Sequence, residues 1–161
     1  YFAKLLAGRI SILASRQGVK DEQYVLEKCN DVLHDIEIEN LSSKAYRPTR
    51  DGRILSGKEY KKLGLKKNDC LKSFDAKITG KVDGWVFAKC VYGKGGHQDN
   101  VFAEAHEFGE WVSKYGDNDK LYVIMIDTDY HNQLKDLKDK FQGGNILVCN
   151  HVEFQEYIIH L

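Results

Sequence analysis

Two aspartates and a lysine lie close together near the middle of the chain, at a spacing typical of neighbouring strands. Asp75 begins one short run of apolar residues, and Asp83 and Lys89 share one parity in the next run. Because side chains alternate across a strand, Asp83 and Lys89 are expected on one face, with Asp75 on the partner strand. Carboxylates that hold Mg²⁺ beside a cation suit metal-dependent cleavage of phosphodiesters. The alternative is that Asp83 merely opens a turn and Lys89 is a solvated lysine.

A glycine-containing loop follows and leads into the most regular helical pattern of the chain. Gly95 and Gly96 let the backbone pass close to a ligand, and Gln98 and Asn100 bring amide groups to the helix start. The N-terminus of a helix favours a phosphate. The alternative is an ordinary loop in which Asp99 or Asn100 caps the helix.

The elements that must position these residues are a β-hairpin and an alternation of helices and strands. The runs Phe74–Ile78 and 82–92 are rich in β-branched and aromatic residues and predict the hairpin. Further along, the patterns predict helices over 99–115, 132–141 and 152–160, and buried strands over 121–127 and 145–149. Strands that alternate with helices are expected to be parallel. The predicted fold class is therefore three-layer α/β, with a mixed central sheet and helices on both faces.

The part of the chain before the hairpin divides into two predicted regions. Residues 1–40 are expected to be helical, with helices over 2–16 and 21–34. Residues 41–72 are polar and basic and lack a clear period, which predicts a long connection with a short helix near 57–63. With residues 73–161 as the α/β core, we expect one domain over 1–161. Because the first residue is Tyr1 rather than Met, we also expect a piece of a longer chain.

Composition favours a globular protein inside the cell. The chain has 161 residues, of which 42% are hydrophobic and 30% charged, and no apolar run approaches the roughly 20 residues of a membrane span. The four cysteines are scattered and form no CxxC pair. In a domain of this size that indicates reduced thiols and a cytoplasmic location.

The net charge of zero conceals a basic block between Lys44 and Lys81. This block holds twelve basic and four acidic residues, a local net charge of +8, directly before and around the candidate site. A basic block of this size suits a polyanion such as DNA. The alternative is a solvated lysine-rich surface.

In its order of elements and in several motifs, the second half of the chain resembles the PD-(D/E)xK nuclease superfamily, and within it the restriction endonucleases. Phe74-Asp75 resembles the Asp motif that starts the hairpin of that family, and Phe87-Ala88-Lys89 takes the place of its acidic-x-Lys tripeptide. The segment Gln98–Phe102 resembles the QxxxY-type motif of some branches.

This resemblance implies a Mg²⁺-dependent endonuclease that cleaves double-stranded DNA, working as a homodimer or with a second subunit. The residues that it implicates in catalysis are Asp75, Asp83, Lys89, Gln98 and Glu104. Of these, Asp75, Asp83 and Glu104 are the candidate metal ligands. Lys89 would orient the attacking water, and Gln98 would position the backbone or the water.

The sequence departs from the family at Phe87, which stands where the family has its second carboxylate. Three explanations remain open. The carboxylate is supplied by the next helix, from Glu104 or Glu107, or Asp83 takes the role from the same strand. In the third, catalysis is lost and the domain is a non-cleaving module that binds DNA or a partner subunit.

A second pair of carboxylates ends the apolar run 121–127. Asp127 and Asp129 would suit Mg²⁺ at the end of a strand, as in Toprim-like folds, which also need a glutamate on an earlier strand. The run 82–92 contains no glutamate. We therefore interpret these aspartates as a strand-ending turn and a helix cap.

Overall fold

The computed structural model describes residues 18–30, 35–94 and 96–161. Its strands are β1 (Ile36–Asn40), β2 (Tyr46–Pro48), β3 (Ile54–Ser56), β4 (Ala76–Gly80), β5 (Asp83–Val91), β6 (Lys120–Thr128) and β7 (Ile146–Cys149). Five of them form one mixed sheet in the order β1-β4-β5-β6-β7, antiparallel from β1 to β5 and parallel from β5 to β7. The mixed sheet, its antiparallel hairpin and its parallel strands confirm the prediction.

Helices cover both faces of this sheet. They are α1 (Gly18–Asn30), α2 (Gly57–Lys62), α3 (Gln98–Tyr115), α4 (His131–Phe141) and α5 (His151–Ile159). Helices α1 and α5 pack on one face through residues such as Leu26 and Phe154, and α3 and α4 pack on the other through Phe108 and Leu137. Each of these four helices carries apolar residues at helical spacing, so one of its sides is buried against the sheet. The arrangement is a three-layer α/β fold, as predicted.

Strand β5 lies at the centre of the sheet and carries the site. It pairs with β6 along its whole length, from Asp83 opposite Lys120 to Val91 opposite Thr128. Close approach of the two strands requires a glycine at position 84, where a Cβ atom would lie 2.1 Å from the carbonyl oxygen of Leu121. This pairing fixes the backbone of β5 independently of β4.

The hairpin of β4 and β5 is open at one end. The two strands pair only from Ala76 opposite Val86 to Ile78 opposite Gly84. Beyond Ala76 the preceding residues turn away, and the backbone N–H of Phe74 donates to the carbonyl of Tyr46, 3.0 Å away. In the described part of the chain, the second half of β5 therefore has no neighbouring strand on the β4 side, and Asp75 lies where the two strands separate.

A small module, residues 44–72, packs beside the main sheet. It contains β2 and β3, which pair with each other, then α2 and a 3₁₀ helix at Lys67–Asp69. Helix α2 confirms the predicted short helix near 57–63, whereas the two strands were not predicted. The indole N–H of Trp111 in α3 donates to the carbonyl of Thr49 at 2.6 Å, and Arg50 pairs with Glu107 at 2.7 Å. The segment expected to be a connection is thus a folded unit docked on α3.

Strand β1 was also missing from the predicted elements. Its buried Ile36 and Ile38 alternate with exposed Glu37 and Glu39, which is the pattern of an edge strand with one buried face. The predicted helix 2–16 and residues 31–34 of the predicted helix 21–34 lie outside the described residues. None of the helices in the described part of the chain combines the length and the apolar character that crossing a membrane requires.

Candidate active site

Asp75 is held at the opening of the hairpin by its backbone and its carboxylate. Its backbone N–H donates to the carbonyl of Val86 at 2.9 Å, and its own carbonyl accepts from Leu41 at 3.0 Å. Its Oδ2 accepts the backbone N–H of Ala88 at 2.9 Å. This N–H belongs to the part of β5 that β4 no longer covers, so the carboxylate replaces a missing strand. The position of Asp75 therefore follows directly from the opening of the hairpin.

Lys89 points to the same place from β5. Its Nζ lies 3.2 Å from both carboxylate oxygens of Asp75, and both side chains are about one-fifth exposed. The structure thus brings together the first Asp and the Lys that the sequence predicted. A charge-assisted contact of this length between two partly buried groups fixes both side chains.

Glu22 of α1 completes the cluster, and sequence reasoning missed it. Its Oε2 lies 3.6 Å from Nζ of Lys89, and its side chain is 14% exposed. Glu22 precedes the buried Val25 and Leu26 by three and four residues, so it lies on the side of α1 that faces the sheet. The signal that would have identified Glu22 is its position among the apolar residues on the buried side of the helix.

The cluster contains more negative than positive charge, and its pKa values reflect this imbalance. Burial raises the pKa of Glu22 to about 7, against the opposing effect of Lys89, and the charge of Asp75 adds to the rise. Burial also raises the pKa of Asp75. The pKa of Lys89 is raised as well, because the attraction of Asp75 and Glu22 outweighs the effect of burial. Shifted pKa values in a group of interacting side chains are typical of functional sites.

Glu104 lies at the edge of the cluster. Its charge contributes to the raised pKa of both Asp75 and Lys89, while its own carboxylate pairs with Lys72 at 3.4 Å. The other helix candidate, Glu107, is held by Arg50. Glu104 therefore lies near the site, but Glu22 rather than Glu104 pairs with Lys89.

Two predicted residues do not join the cluster. Asp83 is exposed at the first position of β5, six residues and about 20 Å from Lys89 along the strand, so the structure does not bring it to Asp75 and Lys89. Gln98 is partly buried at the first position of α3, and none of the contacts found in the described residues connects its side chain to Asp75, Lys89 or Glu22.

Phe87, in the place of the second acidic residue, belongs to the core. It is 2% exposed, its ring stacks on Phe108 with centroids 5.8 Å apart, and Nζ of Lys89 lies 5.2 Å from its centroid. The aromatic ring thus provides an apolar floor beneath the lysine. Glu22 approaches the lysine from another helix, an arrangement that none of the three explanations given above included.

The aspartates at the end of β6 have separate structural partners. Asp127 is buried with His151 of α5, and Asp129 accepts the backbone N–H of Gly93 at 3.2 Å. Their interpretation as the end of a strand agrees with these contacts. The predicted helix cap is wrong, because Tyr130 occupies the N-cap position of α4 and no side chain caps that helix.

The donor set of the cluster fits Mg²⁺ in its chemistry. Mg²⁺ is commonly held by one or two carboxylates, with water and substrate phosphate completing its coordination. Asp75 and Glu22 offer two carboxylates that face one cation, Nζ of Lys89. Within residues 18–30, 35–94 and 96–161, no group of three His, Cys, Asp or Glu side chains is arranged to hold a metal by itself. A bound Mg²⁺ would therefore depend on the phosphate for part of its shell.

Comparison of the chain with protein-family models, with curated proteins and with solved structures gives no match. The functional argument therefore rests on the geometry of Asp75, Lys89 and Glu22.

Proposed function

We propose that this chain is a Mg²⁺-dependent endonuclease domain of the restriction type, which hydrolyses phosphodiester bonds of double-stranded DNA. The observation that carries the proposal is the cluster of Asp75, Glu22 and Lys89 at the open end of the β4–β5 hairpin. Two carboxylates and a lysine, partly exposed and placed where a strand is missing, are the groups that phosphodiester hydrolysis needs.

Each residue of the cluster has a distinct role in this proposal. Asp75 and Glu22 would hold Mg²⁺, which polarises the phosphate and lowers the pKa of a bound water when present. Lys89 orients the attacking water and offsets the negative charge that grows on the phosphate. The hydrogen bond from the backbone N–H of Ala88 keeps Oδ2 of Asp75 fixed, and Nζ of Lys89 contacts both carboxylate oxygens. The ring of Phe87 beneath Lys89 keeps its ammonium group away from bulk water on that side.

The proposal extends to the setting of the reaction. Cleavage of both strands of a duplex requires two sites, so we propose a homodimer or a partner subunit. Among the described residues, Cys70 and Cys90 carry free thiols, which suit the cytoplasm. The basic block before the site suits a DNA substrate.

Cleavage of supercoiled plasmid tests the proposal. We expect nicking or linearisation with Mg²⁺ and none with EDTA. Asp75→Asn should lower the rate by about 10²–10³-fold, because it removes a charge that the transition state needs. Asp83→Asn is the matched control, since it removes a carboxylate from the same hairpin outside the cluster, and it should leave the rate unchanged.

The second candidate function is a non-cleaving module that binds DNA or a partner subunit. Phe87 favours it, because the position of the second acidic residue is filled by a core aromatic ring. Absence of cleavage by the folded chain at high concentration, with Mg²⁺ or Mn²⁺, would contradict the nuclease and favour this module. Equal rates for Asp75→Asn and the unaltered chain would instead remove the cluster from the mechanism.

A further inference from the structure

The basic block between Lys44 and Lys81 is not one uniform surface, because about half of its cations are used within the fold. Arg50 pairs with Glu107, Arg53 with Asp51, and Lys72 with Glu104. The guanidinium of Arg47 lies over the ring of Tyr60 and the ammonium of Lys77 over the ring of Trp85. Both pairs are within 5.7 Å of the ring centroid. Arg47 and Arg53 make these contacts within the module, and Arg50 and Lys72 dock the module on α3. Lys77 makes its contact within the main sheet.

Among the cations of the block without such a role, five lysines lie close together along the chain. They lie in residues 57–67, which we call the lysine segment: Lys58, Lys61, Lys62, Lys66 and Lys67. All five are exposed, and in the described part of the chain none of their ammonium groups forms an ion pair or a hydrogen bond. The lysine segment therefore presents its positive charge to solvent.

The carboxylates nearest to these lysines are already occupied. Glu59 accepts the backbone N–H of Ser56 at 2.7 Å in a capping box, and that hydrogen bond keeps its pKa low. Asp69 accepts the backbone N–H of Lys66 at 2.7 Å. Because both acids stabilise helix starts, they do not neutralise the neighbouring ammonium groups through direct pairing. The local excess of positive charge is thus a property of the folded segment and not of composition alone.

The shape of the lysine segment suits a charged rather than an apolar partner. Helix α2 has no buried residue, and Lys58, Lys61 and Lys62 recur at the three- and four-residue spacing of one helix side. Gly64, with φ of +62°, turns the chain so that Lys66 and Lys67 follow closely. Among the described residues of this segment, Leu63 is the one large apolar side chain that is exposed. A single apolar side chain is too little for insertion into a membrane surface.

Contacts along α3 connect the lysine segment with the candidate active site. Glu104, at the edge of the site, holds Lys72, and Glu107, one helical turn or about 5 Å further, holds Arg50. Nε of Arg50 in turn donates to the carbonyl of Asn68 at 2.8 Å, inside the 3₁₀ helix that follows Lys66. The segment is therefore fixed relative to Asp75 and Lys89 through a short chain of contacts.

We propose that the lysine segment binds the sugar-phosphate backbone of duplex DNA beside the cleavage site, without reading its sequence. The proposal rests on the proposed function for the choice of DNA as partner. Lysine ammonium groups act on phosphates as point charges, so they supply affinity and position but little discrimination between bases. Sequence recognition would then come from other parts of the complex.

Filter binding to a short DNA duplex in EDTA tests this proposal without any cleavage. The variant K61Q/K62Q/K66Q removes three charges from the lysine segment. Its control, K135Q/K138Q/K140Q, removes three charges from α4, where each lysine pairs with a carboxylate. Both variants have the same net charge, so a difference between them reports position alone.

We expect the slope of log K against log salt to fall by about 2–3 in the lysine-segment variant, at roughly 0.9 per lost phosphate contact, and to stay unchanged in the control. Equal affinity and equal slope in both variants would overturn the proposal. Lysine-dependent binding that prefers RNA or anionic vesicles over the duplex would overturn the choice of DNA. Because EDTA removes the metal, a chain that binds through these lysines but never cleaves would contradict the nuclease alone.

Discussion

The carboxylates of Asp127 and Asp75 each contact a basic side chain at the end of the sheet where β5 and β6 finish, and their surroundings differ sharply. Asp127, near the end of β6, accepts Nδ1 of His151 at 2.6 Å and the backbone N–H of His151 at 3.2 Å. The side chains of this pair are 4% and 3% exposed. Asp75 and Lys89, at the opening of the β4–β5 hairpin, are 20% and 21% exposed.

The difference teaches how a structural pair is distinguished from a site. Asp127 fastens the first residue of α5 to β6, with one histidine partner for one carboxylate. Around Lys89, two carboxylates compete for one ammonium group, and burial raises the pKa of both carboxylates. A sealed pair that is hydrogen-bonded within the fold stabilises it, whereas an accessible group with excess charge has capacity left for a metal or a phosphate.

The largest expected effect on stability is at the sealed pair. Asp127→Ala should lower the free energy of unfolding by about 3–5 kcal/mol, because it leaves two buried donors of His151 without their acceptor. Asp75→Ala should cost no more than about 1–2 kcal/mol, since Glu22 still pairs with Lys89 and the site is open to water. Urea unfolding followed by circular dichroism measures both. Equal losses in the two variants would abolish the distinction between structural pair and site.

An intermediate effect is expected at Glu22, and it depends on pH. The folded chain holds a proton on Glu22 up to a pKa of about 7, whereas the ordinary value is 4.5. Between these two pH values the folded state binds more protons than the unfolded state, so stability falls as pH rises through this window. The variant Glu22→Gln lacks this titration. Its free energy of unfolding should exceed that of the unaltered chain by about 1–3 kcal/mol at pH 8, and the difference should vanish below pH 4.5.

The control for this measurement is Glu107→Gln, which removes a glutamate from an exposed ion pair with Arg50. The difference in the free energy of unfolding between this variant and the unaltered chain should show no rise across the same pH window. A stability difference for Glu22→Gln that stays constant from pH 4 to pH 8 would contradict the shifted pKa.

The smallest effect is expected at the outer edge of the site. Lys72→Gln breaks the contact with Glu104, in which the lysine side chain is 60% exposed. Exposed ion pairs contribute little, so the free energy of unfolding should change by less than about 0.5–1 kcal/mol. A larger loss would mean that the charges around the site have a structural role, and would make the two regions more alike than described above.

The elements that sequence reasoning located are those whose pattern is local. The apolar run ending at Asp127 and the regular stripe of α3 each predict one element, and the hairpin before them follows from composition and a turn. Asp75 and Lys89 were found for the same reason, since both lie on that hairpin. In contrast, Glu22 reaches Lys89 from a helix far away in sequence, and no local spacing relates the two residues.

The module of residues 44–72 was missed for another physical reason. Its strands have three residues each, too few to show a period, and Pro48 lies in one of them. The module is stabilised by its contacts with α3 and the sheet, as Thr49 and Arg50 show. Short elements that depend on tertiary contacts leave little signal in the sequence itself. Asp83 lies apart from the cluster because parity places a side chain on a face but not at a position along the strand.

The docking of this module gives the protein a built-in optical reporter. The chain has two tryptophans, and both meet the module: Trp85 packs against Tyr46 with ring centroids 5.1 Å apart, and Trp111 donates to the carbonyl of Thr49. Both indoles are largely buried. Intrinsic fluorescence, which is sensitive to the polarity around an indole, therefore reports mainly on the boundary between the module and the sheet. A red shift without loss of far-ultraviolet circular dichroism would signal that the module, and with it the lysine segment, has separated from an intact core.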